Sequence, residues 1–254
     1  MRLLVKRDFY KYLNPVKITE FPLYASTYII ADKFDIPLII QGENPGLTLG
    51  TSLTGVGTDS NAMKADELHT LSSGWKEYVE VEGIEEKDLY LFHYDRKKLE
   101  EKGCKAIWLN YFLKEWSNHK NAVFSKEHGL RWRPENFEGE TVGTYLPYFQ
   151  LDGDLTQVNQ LLKHIKFGFG QCMDHVCYDL RDNLMDRKTA IDLVLKYDGK
   201  CAEKYIDKFC NYIQISKDEF YKTIEKFRGD IWYVKDRIWV NKLHEQLKKE
   251  YSSQ

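Results

Sequence analysis

The chain is poor in the features that mark secreted and membrane proteins. None of its apolar runs approaches the roughly 20 residues that a membrane-spanning helix needs. The charged, mixed segment from Met1 to Tyr10 is not a signal peptide. Five cysteines among 254 residues are too few and too scattered for a disulfide framework. We therefore expect a soluble protein of a reducing compartment, with the cytoplasm as its location.

Patterns that indicate zinc or nucleic-acid binding are also scarce. No CxxC pair occurs, and Cys172, His175 and Cys177 lack the usual spacing of zinc ligands. The formal net charge of -2 gives the chain no broad attraction for nucleic acid or anionic membranes. No internal repeat is present. These absences leave a globular protein, which the apolar content of 43% also indicates.

The N-terminal part alternates a helical pattern with a short apolar run, which predicts an α/β fold. Apolar residues recur at helical spacing over Phe21–Asp35. The run Ile36–Ile40 that follows is typical of a buried parallel strand. In doubly wound sheets ligands bind at the carboxyl ends of strands, so Gly42, Glu43 and Asn44 are candidate ligand contacts.

From Leu155 onward the pattern is mainly helical. Helices are predicted at 171–184, 186–197, 202–212, 216–227 and 232–249, with Asp186 and Ser216 at the starts of the second and fourth. We therefore expect three parts: an α/β part in residues 1–62, a mixed insertion with an aromatic-rich substrate region in residues 63–154, and a helical region in residues 155–254.

One glycine-rich segment, Gly55–Ser60, is similar to the SGGxDS loop with which ATP pyrophosphatases hold pyrophosphate. That loop needs a strand before its glycines and a helix after them. The preceding residues, Leu49–Ser52, do not form a core strand, and Gly55 stands where the loop has serine. We therefore do not expect this segment to bind phosphate.

A second glycine-containing segment is better placed, because Lys166, Gly168 and Gly170 run directly into the helix predicted from Gln171. A lysine, two glycines and a helix N-terminus can form an anion site. Two polar stripes flank the apolar face of that helix, one formed by Asp174, Tyr178 and Arg181 and the other by His175, Asp179 and Asp182. They are either a ligand site or a solvated face with local ion pairs, and the pattern does not decide between the two.

Three stretches carry a family resemblance when they are read together: Phe21–Asn44, His164–His175 and Tyr197–Lys200. Asn118–Asn121 followed by His128–Trp132 fits the same pattern. They resemble the N-acetyl sugar amidotransferases of surface-polysaccharide and flagellin-glycan biosynthesis, which belong to the superfamily of ATP pyrophosphatases. The stretches follow one another in a consistent order over nearly the whole chain. The resemblance implies that residues 1–62 are a remnant of a Rossmann-like parallel-sheet domain that binds a nucleotide, and that a mainly helical region ends the chain.

The resemblance also implies a reaction. Such enzymes convert the acetamido group of a nucleotide-linked or acidic sugar into an acetamidino group. ATP, with Mg2+, adenylates the amide oxygen while pyrophosphate leaves, and ammonia then displaces AMP. Exclusion of water favours ammonia over hydrolysis. The implied partners are a glutaminase and a cyclase-like subunit, which together supply the ammonia.

The chain departs from this family at its start. In the family the SGGxDS loop lies upstream of the helix that corresponds to Phe21–Asp35, and so do N-terminal cysteine motifs. We therefore expect the pyrophosphate-binding loop to be missing from this chain. The chain would then be a fragment, a truncated product, one half of a split enzyme that needs an N-terminal partner, or a protein that no longer catalyses the reaction.

The resemblance assigns roles to the strand-end residues. Gly42, Glu43 and Asn44 would face the nucleotide or the activated amide. Glu43 would act in catalysis by holding Mg2+, since hard cations take carboxylate oxygens.

The residues around the second glycine segment receive roles as well. Lys166, Gly168 and Gly170 would contact phosphate or the sugar nucleotide. The polar residues of the helix would bind substrate or organise that site, with Asp174 and His175 in catalytic roles and Asp179 and Arg181 in binding roles. His175 would move a proton from ammonia, because a histidine titrates near neutral pH; the alternative is a histidine with ordinary structural contacts.

Two other functions stay open beside the amidotransferase. The chain can be a non-catalytic module that docks a sugar nucleotide or an ammonia-producing partner. It can also be another relative of the ATP pyrophosphatases, such as a tRNA-thiolating enzyme. The near-neutral charge and the lack of a CxxC pair weigh against the last.

Overall fold

The computed structural model describes residues 1–43, 45–46, 58–68, 71, 73–113 and 115–253. The chain divides into two compact units. Unit 1 comprises Met1, Leu3–Val5 and Val16–Trp116, and unit 2 comprises Arg2, Lys6–Pro15 and Ser117–Gln254. The division into three parts at residues 62 and 154 stays a prediction. Among the described residues, no helix is both long and apolar enough to cross a membrane.

The described residues form a mixed α/β structure that is mostly helical. The helices are α1 (Arg2–Tyr12), α2 (Lys17–Lys33), α3 (Arg96–Glu101), α4 (Asn118–Glu127), α5 (Asp154–Phe167), α6 (Gln171–Arg181), α7 (Arg187–Tyr197), α8 (Glu203–Ile213), α9 (Lys217–Glu225) and α10 (Lys242–Ser253). The strands are β1 (Leu38–Gln41), β2 (Lys105–Trp108), β3 (Trp232–Lys235) and β4 (Ile238–Asn241). Short 3₁₀ turns lie at Ala65–Glu67, Trp75–Tyr78, Glu86–Leu89, Leu109–Phe112 and Gly139–Thr141.

Unit 1 contains a two-stranded parallel sheet. Strand β1 pairs with β2 in a register that joins Leu38 to Lys105 and Gln41 to Trp108. The buried ring of Trp108 meets Tyr24 of α2 edge-on, with 6.4 Å between the ring centroids. The predicted parallel strand is therefore present. The larger Rossmann-like sheet is not confirmed by the described residues.

Strand β1 is buried on one face only. Ile39 is 6% exposed, whereas Leu38 and Ile40 are 46% and 56% exposed. The expectation of a fully buried strand was therefore wrong. Side chains alternate between the two faces of a strand, and here only one face meets the core. A continuous apolar run does not reveal how many faces are covered.

Helix α2 begins a turn earlier than the predicted helix. It starts at Lys17 rather than at Phe21, so Pro22 lies inside the helix. The first turn forms because Ile18 is fully buried and contributes to the core of unit 1 together with Phe21. A proline cannot donate a backbone hydrogen bond, and this helix accommodates one within its second turn.

A hydrophobic core cluster of unit 2 lies between α6, α7 and α10. Its buried members are Cys172, Val176, Ala190, Ile191, Val194 and Leu247. Two sequence-predicted helix starts are confirmed by their caps. The Asp186 carboxylate accepts the Thr189 N–H at 2.7 Å, and the Ser216 hydroxyl accepts the Glu219 N–H at 3.1 Å. Such caps satisfy backbone donors that the helix leaves unpaired.

The prediction of a last helix over residues 232–249 was wrong for the first half of that range. Residues there form the antiparallel hairpin of β3 and β4, and α10 begins only at Lys242. The turn residues Asp236 and Arg237 both have positive φ, +51° and +65°. Positive φ at both central residues is typical of hairpin turns whose twist matches that of the strands. Aromatic and β-branched residues in both arms favour strands over a helix.

Candidate functional site

The carboxylate of Asp198, directly after α7, is the polar centre of unit 2. Its Oδ2 accepts the Gly170 N–H at 2.8 Å and lies 3.2 Å from Nδ1 of His164. Its Oδ1 accepts the Met173 N–H at 3.1 Å. Burial raises the pKa of Asp198, but the imidazoles of His164 and His244 and the Gly170 N–H outweigh it and hold the pKa well below its usual range. Asp198 therefore stays ionised and stabilises the first turn of α6.

The predicted anion site at Lys166, Gly168 and Gly170 has contacts within the chain itself. The N-terminus of α6 is engaged by a carboxylate of the chain itself, through the Gly170 N–H. Gly168 ends α5 in the left-handed conformation, with φ +81°, and a Cβ there would lie 2.7 Å from Ile231. The Lys166 ammonium donates to the Tyr12 carbonyl at 2.6 Å. Contact of these residues with a ligand phosphate stays a prediction.

The glycine after Asp198 has a role that sequence reasoning missed. Gly199 has φ +75°, and a Cβ there would lie 2.4 to 2.6 Å from ring atoms of His164. The sequence explained Gly199 as a helix stop. The structure shows in addition that only a glycine lets the backbone approach the His164 ring this closely.

A groove of about 310 Å³ runs beside the end of α5 and the start of α6. Its lining combines two lysines, two phenylalanines and two asparagines with one leucine: Leu13, Asn14, Asn159, Lys163, Lys166, Phe167 and Phe169. The ammonium of Lys163 lies 4.7 Å from the centre of the Phe169 ring and is paired with the Asp174 carboxylate. The groove thus brings Lys166, which the sequence predicted, together with Lys163, which pairs with the predicted Asp174.

The electrostatics of the groove favour an anionic ligand. Burial lowers the pKa of Lys166, because its charge is partly removed from water. Burial also raises the pKa of Asp174, although Lys163 opposes the effect. An anion in the groove would offset the free-energy cost of burying the Lys166 charge, and it would compete with Asp174 for Lys163.

His175 lies inside unit 2 rather than at a surface. It is 1% exposed, and its Nδ1 is 2.6 Å from the Thr144 hydroxyl. Its Nε2 has no hydrogen-bond partner among the described residues, and Phe149 meets the ring edge-on at 4.0 Å. Burial lowers the pKa of His175 to about 3, so the imidazole is neutral at physiological pH. This environment favours a positioning role over proton transfer.

Asp179, on the other polar stripe of α6, forms a hydrogen bond to the segment that precedes α5. Its Oδ2 accepts the Tyr145 hydroxyl at 2.5 Å, and its Oδ1 is buried without a hydrogen-bond partner among the described residues. Burial raises the pKa of this carboxyl, and the Tyr145 bond opposes the shift. Arg181, by contrast, is exposed. Part of the polar surface of α6 thus faces inward, which neither interpretation of the sequence anticipated.

Comparison with known protein families gives a match for the region that contains these residues. Residues 135–248 match the family model described as LPS biosynthesis protein WbpG-like, C-terminal domain. The match points to lipopolysaccharide biosynthesis. No curated protein matches the chain. We refer to residues 135–248 as the WbpG-like region.

The WbpG-like region contains Asp198, the lysines of the groove and all the predicted α6 residues. The strand-end residues lie outside it, in unit 1. Gly42 follows β1 with open space where a Cβ would lie, and Glu43 next to it is half-buried. Asn44 lies outside the described residues.

Half of the glycine-rich segment Gly55–Ser60 lies outside the described residues, since Gly55, Val56 and Gly57 are not among them. Of its remaining part, the Asp59 carboxylate accepts the Asn61 N–H at 2.9 Å. The expectation that this segment does not bind phosphate stays a prediction.

His164 and His244 were not singled out by sequence reasoning. They come from α5 and α10, which are far apart in the chain, and meet at Asp198 only in the folded unit. The Asp–Gly pair at 198–199 gave no signal for them, because a helix stop explains Gly199 at the level of the sequence. No spacing rule links the two histidines.

Proposed function

We propose that the WbpG-like region binds an anionic N-acetyl sugar, either acidic or nucleotide-linked, and that the chain serves the ATP-dependent conversion of its acetamido group into an acetamidino group. The observation that carries the proposal is the groove beside α5, where two lysines and two phenylalanine rings come together within a region that matches an LPS biosynthesis family.

The groove offers the contacts that such a substrate needs. Lysine ammonium groups bind phosphate or carboxylate as point charges. Phenylalanine rings present flat apolar surface to the carbon face of a sugar or to a base, and the Asn14 and Asn159 amides offer both donors and acceptors for sugar hydroxyls. A UDP-linked N-acetyl sugar combines all three kinds of group.

The activation step in this proposal needs ATP and Mg2+. Mg2+ is commonly held by one or two carboxylates together with substrate phosphates and water. Glu43, half-buried at the carboxyl end of β1, supplies one carboxylate of this kind, with Gly42 and Asn44 beside it. Bound Mg2+ would neutralise phosphate charge while the amide oxygen attacks. The pyrophosphate-binding loop would come from a further segment of the protein or from a second chain.

The residues of α6 then act by shaping the site. The neutral His175 and the Tyr145–Asp179 pair hold the 142–150 segment against α6. Asp174 sets the position of the Lys163 ammonium. Within this proposal His175 positions the site and does not carry the proton from ammonia.

A second candidate function is that of a non-catalytic docking module, and the surface of unit 1 favours it. Helix α2 exposes Leu23 and Ile30, Phe34 is exposed directly after it, and β1 exposes Leu38 and Ile40. Contiguous exposed apolar residues of this kind mark interaction surfaces. A partner that presents a strand and a helix of its own would fit this surface, because β1 and α2 offer one of each. The glutaminase and cyclase-like subunits remain proposed partners for the ammonia supply.

AMP release tests the catalytic proposal. The purified chain is incubated with ATP, Mg2+, ammonia and a UDP-linked N-acetyl sugar, with and without a separately produced segment that carries an SGGxDS loop. We expect AMP release that depends on the sugar and requires the added segment. AMP release independent of the sugar, or none with the segment present, would contradict the amidotransferase and leave the docking module as the function.

A further inference from the structure

Three residues with metal-binding side chains meet at the end of α7. His164 comes from α5, Asp198 follows α7, and His244 comes from the first turn of α10. One ligand atom from each lies within 4.8 Å of the other two. His164 and Asp198 are buried, and the His244 side chain is 18% exposed. The cluster thus joins α5, the end of α7 and α10 of unit 2, and His244 is its most exposed member.

The distances in the cluster suit ligands of one metal ion. Oδ2 of Asp198 lies 3.2 Å from Nδ1 of His164 and 3.9 Å from Nε2 of His244. A tetrahedral zinc ion with bonds of about 2.0 to 2.2 Å places its ligand atoms roughly 3.4 Å apart. The two observed distances lie on either side of that value. A small movement of the His244 side chain, which lies nearest to solvent, would complete the geometry.

The Nε2 atom of His244 is a second, independent indication that a metal ion belongs in the cluster. Its Nε2 is buried and has no hydrogen-bond partner among the described residues. At 3.9 Å the Asp198 oxygen is too far for a hydrogen bond. A buried polar atom without a partner costs free energy, and a metal ion between the two groups would satisfy it.

The surroundings fix the other two ligands in place. The N–H groups of Gly170 and Met173 hold the Asp198 carboxylate, in the way that outer contacts orient metal ligands. Trp232 meets the His164 ring edge-on with 5.3 Å between centroids, and a Cβ at Gly199 would lie 2.4 to 2.6 Å from atoms of that ring. Such a preformed carboxylate and imidazole need little rearrangement to bind a metal.

We propose that His164, Asp198 and His244 bind a divalent transition metal ion of the zinc type. Two imidazole nitrogens and one carboxylate oxygen are donors that suit zinc, whereas Mg2+ prefers oxygen ligands alone. The ion ties α10 to α5 and to the end of α7, and a fourth position remains for water. This site is separate from the Mg2+ position at Glu43 and does not depend on the proposed amidotransferase activity.

Zinc binding by the whole chain, stripped of metal with a chelator, tests the site. Titration calorimetry and thermal unfolding are measured with Zn2+ for the natural sequence, for His244→Ala and for His164→Gln. The control is His128→Ala, because His128 is exposed and its Nδ1 contacts only the Phe124 carbonyl of its own helix. Circular dichroism of each variant without metal verifies that it is folded.

We expect one zinc ion per chain and a rise in Tm of about 5 °C or more at Zn2+ roughly 100-fold above Kd, for the natural sequence and His128→Ala. His244→Ala should lose both effects while it remains folded. The same zinc binding in folded His244→Ala would assign the metal to other groups, such as the cysteines, and would overturn the proposal. A natural sequence that binds no zinc would show that the cluster is a hydrogen-bonded network alone, and this would also overturn it.

Discussion

The Asp198 carboxylate and the His164 imidazole lie 3.2 Å apart between Oδ2 and Nδ1, and the same carboxylate accepts two backbone N–H groups at the start of α6. One side chain therefore joins the end of α7, the start of α6 and the last turn of α5. Asp198 is thus held by three contacts, and Gly199 lies where a Cβ would meet the His164 ring.

Removal of the Asp198 carboxylate should destabilise unit 2 strongly. Asp198→Ala leaves two buried N–H groups and an imidazole without their acceptor, so we expect a loss of roughly 3 kcal/mol or more in the free energy of unfolding. The control is Asp186→Ala, which removes a single exposed helix cap and should cost about 1 kcal/mol. Urea unfolding monitored by circular dichroism measures both. Equal losses would show that Asp198 is only a cap.

Gly199 should tolerate no side chain. Gly199→Ala places a methyl group within 2.6 Å of the His164 ring at a positive φ. We expect it to destabilise unit 2 by at least about 2 kcal/mol more than Gly129→Ala, because Gly129 also has positive φ but has no atom within 4 Å of a built Cβ. Thermal unfolding of the two variants measures the difference. Similar Tm values would mean that His164 moves away without cost.

His175 should make the stability of unit 2 depend on pH. Its pKa is about 3 when folded, against 6.5 for an ordinary histidine. Above pH 6.5 the imidazole is neutral in both the folded and the unfolded chain, so His175 does not change the free energy of unfolding there. Between pH 6.5 and 3 only the unfolded chain binds the proton, so the free energy of unfolding should fall by about 1.4 kcal/mol per pH unit from this group. His175→Gln should show a shallower decline over that interval, and parallel curves for the two proteins would contradict a buried neutral imidazole.

The one-sided burial of β1 can be tested on two adjacent isoleucines. Ile39→Ala empties a core position and should cost about 2 to 4 kcal/mol in the free energy of unfolding, whereas Ile40→Ala should cost well under about 1 kcal/mol. Urea unfolding, followed by a spectroscopic signal from unit 1, gives both free energies. If a partner that presents a strand and a helix covers β1, then Ile40→Ala should weaken its binding while Ile39→Ala acts through stability. Equal losses in the isolated chain would indicate a strand buried on both faces.

The sequence indicated local structure well where the signal lies within one helix. The caps at Asp186 and Ser216, and the extents of α6 to α9 to within a few residues, follow from short-range patterns. The hairpin at 232–241 was missed because Trp232 and the residues after it fit a helical pattern as well as strands, and the turn at Asp236 and Arg237 has no glycine or asparagine to mark it.

The candidate site was only partly predictable for a different reason. Lys166 and Asp174 were identified because they flank the start of one helix. The meeting of His164, Asp198 and His244, and the inward direction of His175, depend on how α5, α6, α7 and α10 pack, and a single sequence contains no signal for that packing.

The most direct test of the central claim, an anionic sugar in the groove beside α5, is calorimetric titration of the chain with a UDP-linked N-acetyl sugar. The natural sequence is compared with Lys166→Met, which keeps the length of the side chain without its charge, and with the exposed-lysine control Lys248→Met. We predict that Lys166→Met weakens binding by about tenfold or more, since a charge-assisted bond contributes roughly 1.5 to 3 kcal/mol, while Lys248→Met binds like the natural sequence. Equal affinity of all three proteins would show that the sugar nucleotide does not bind at Lys166.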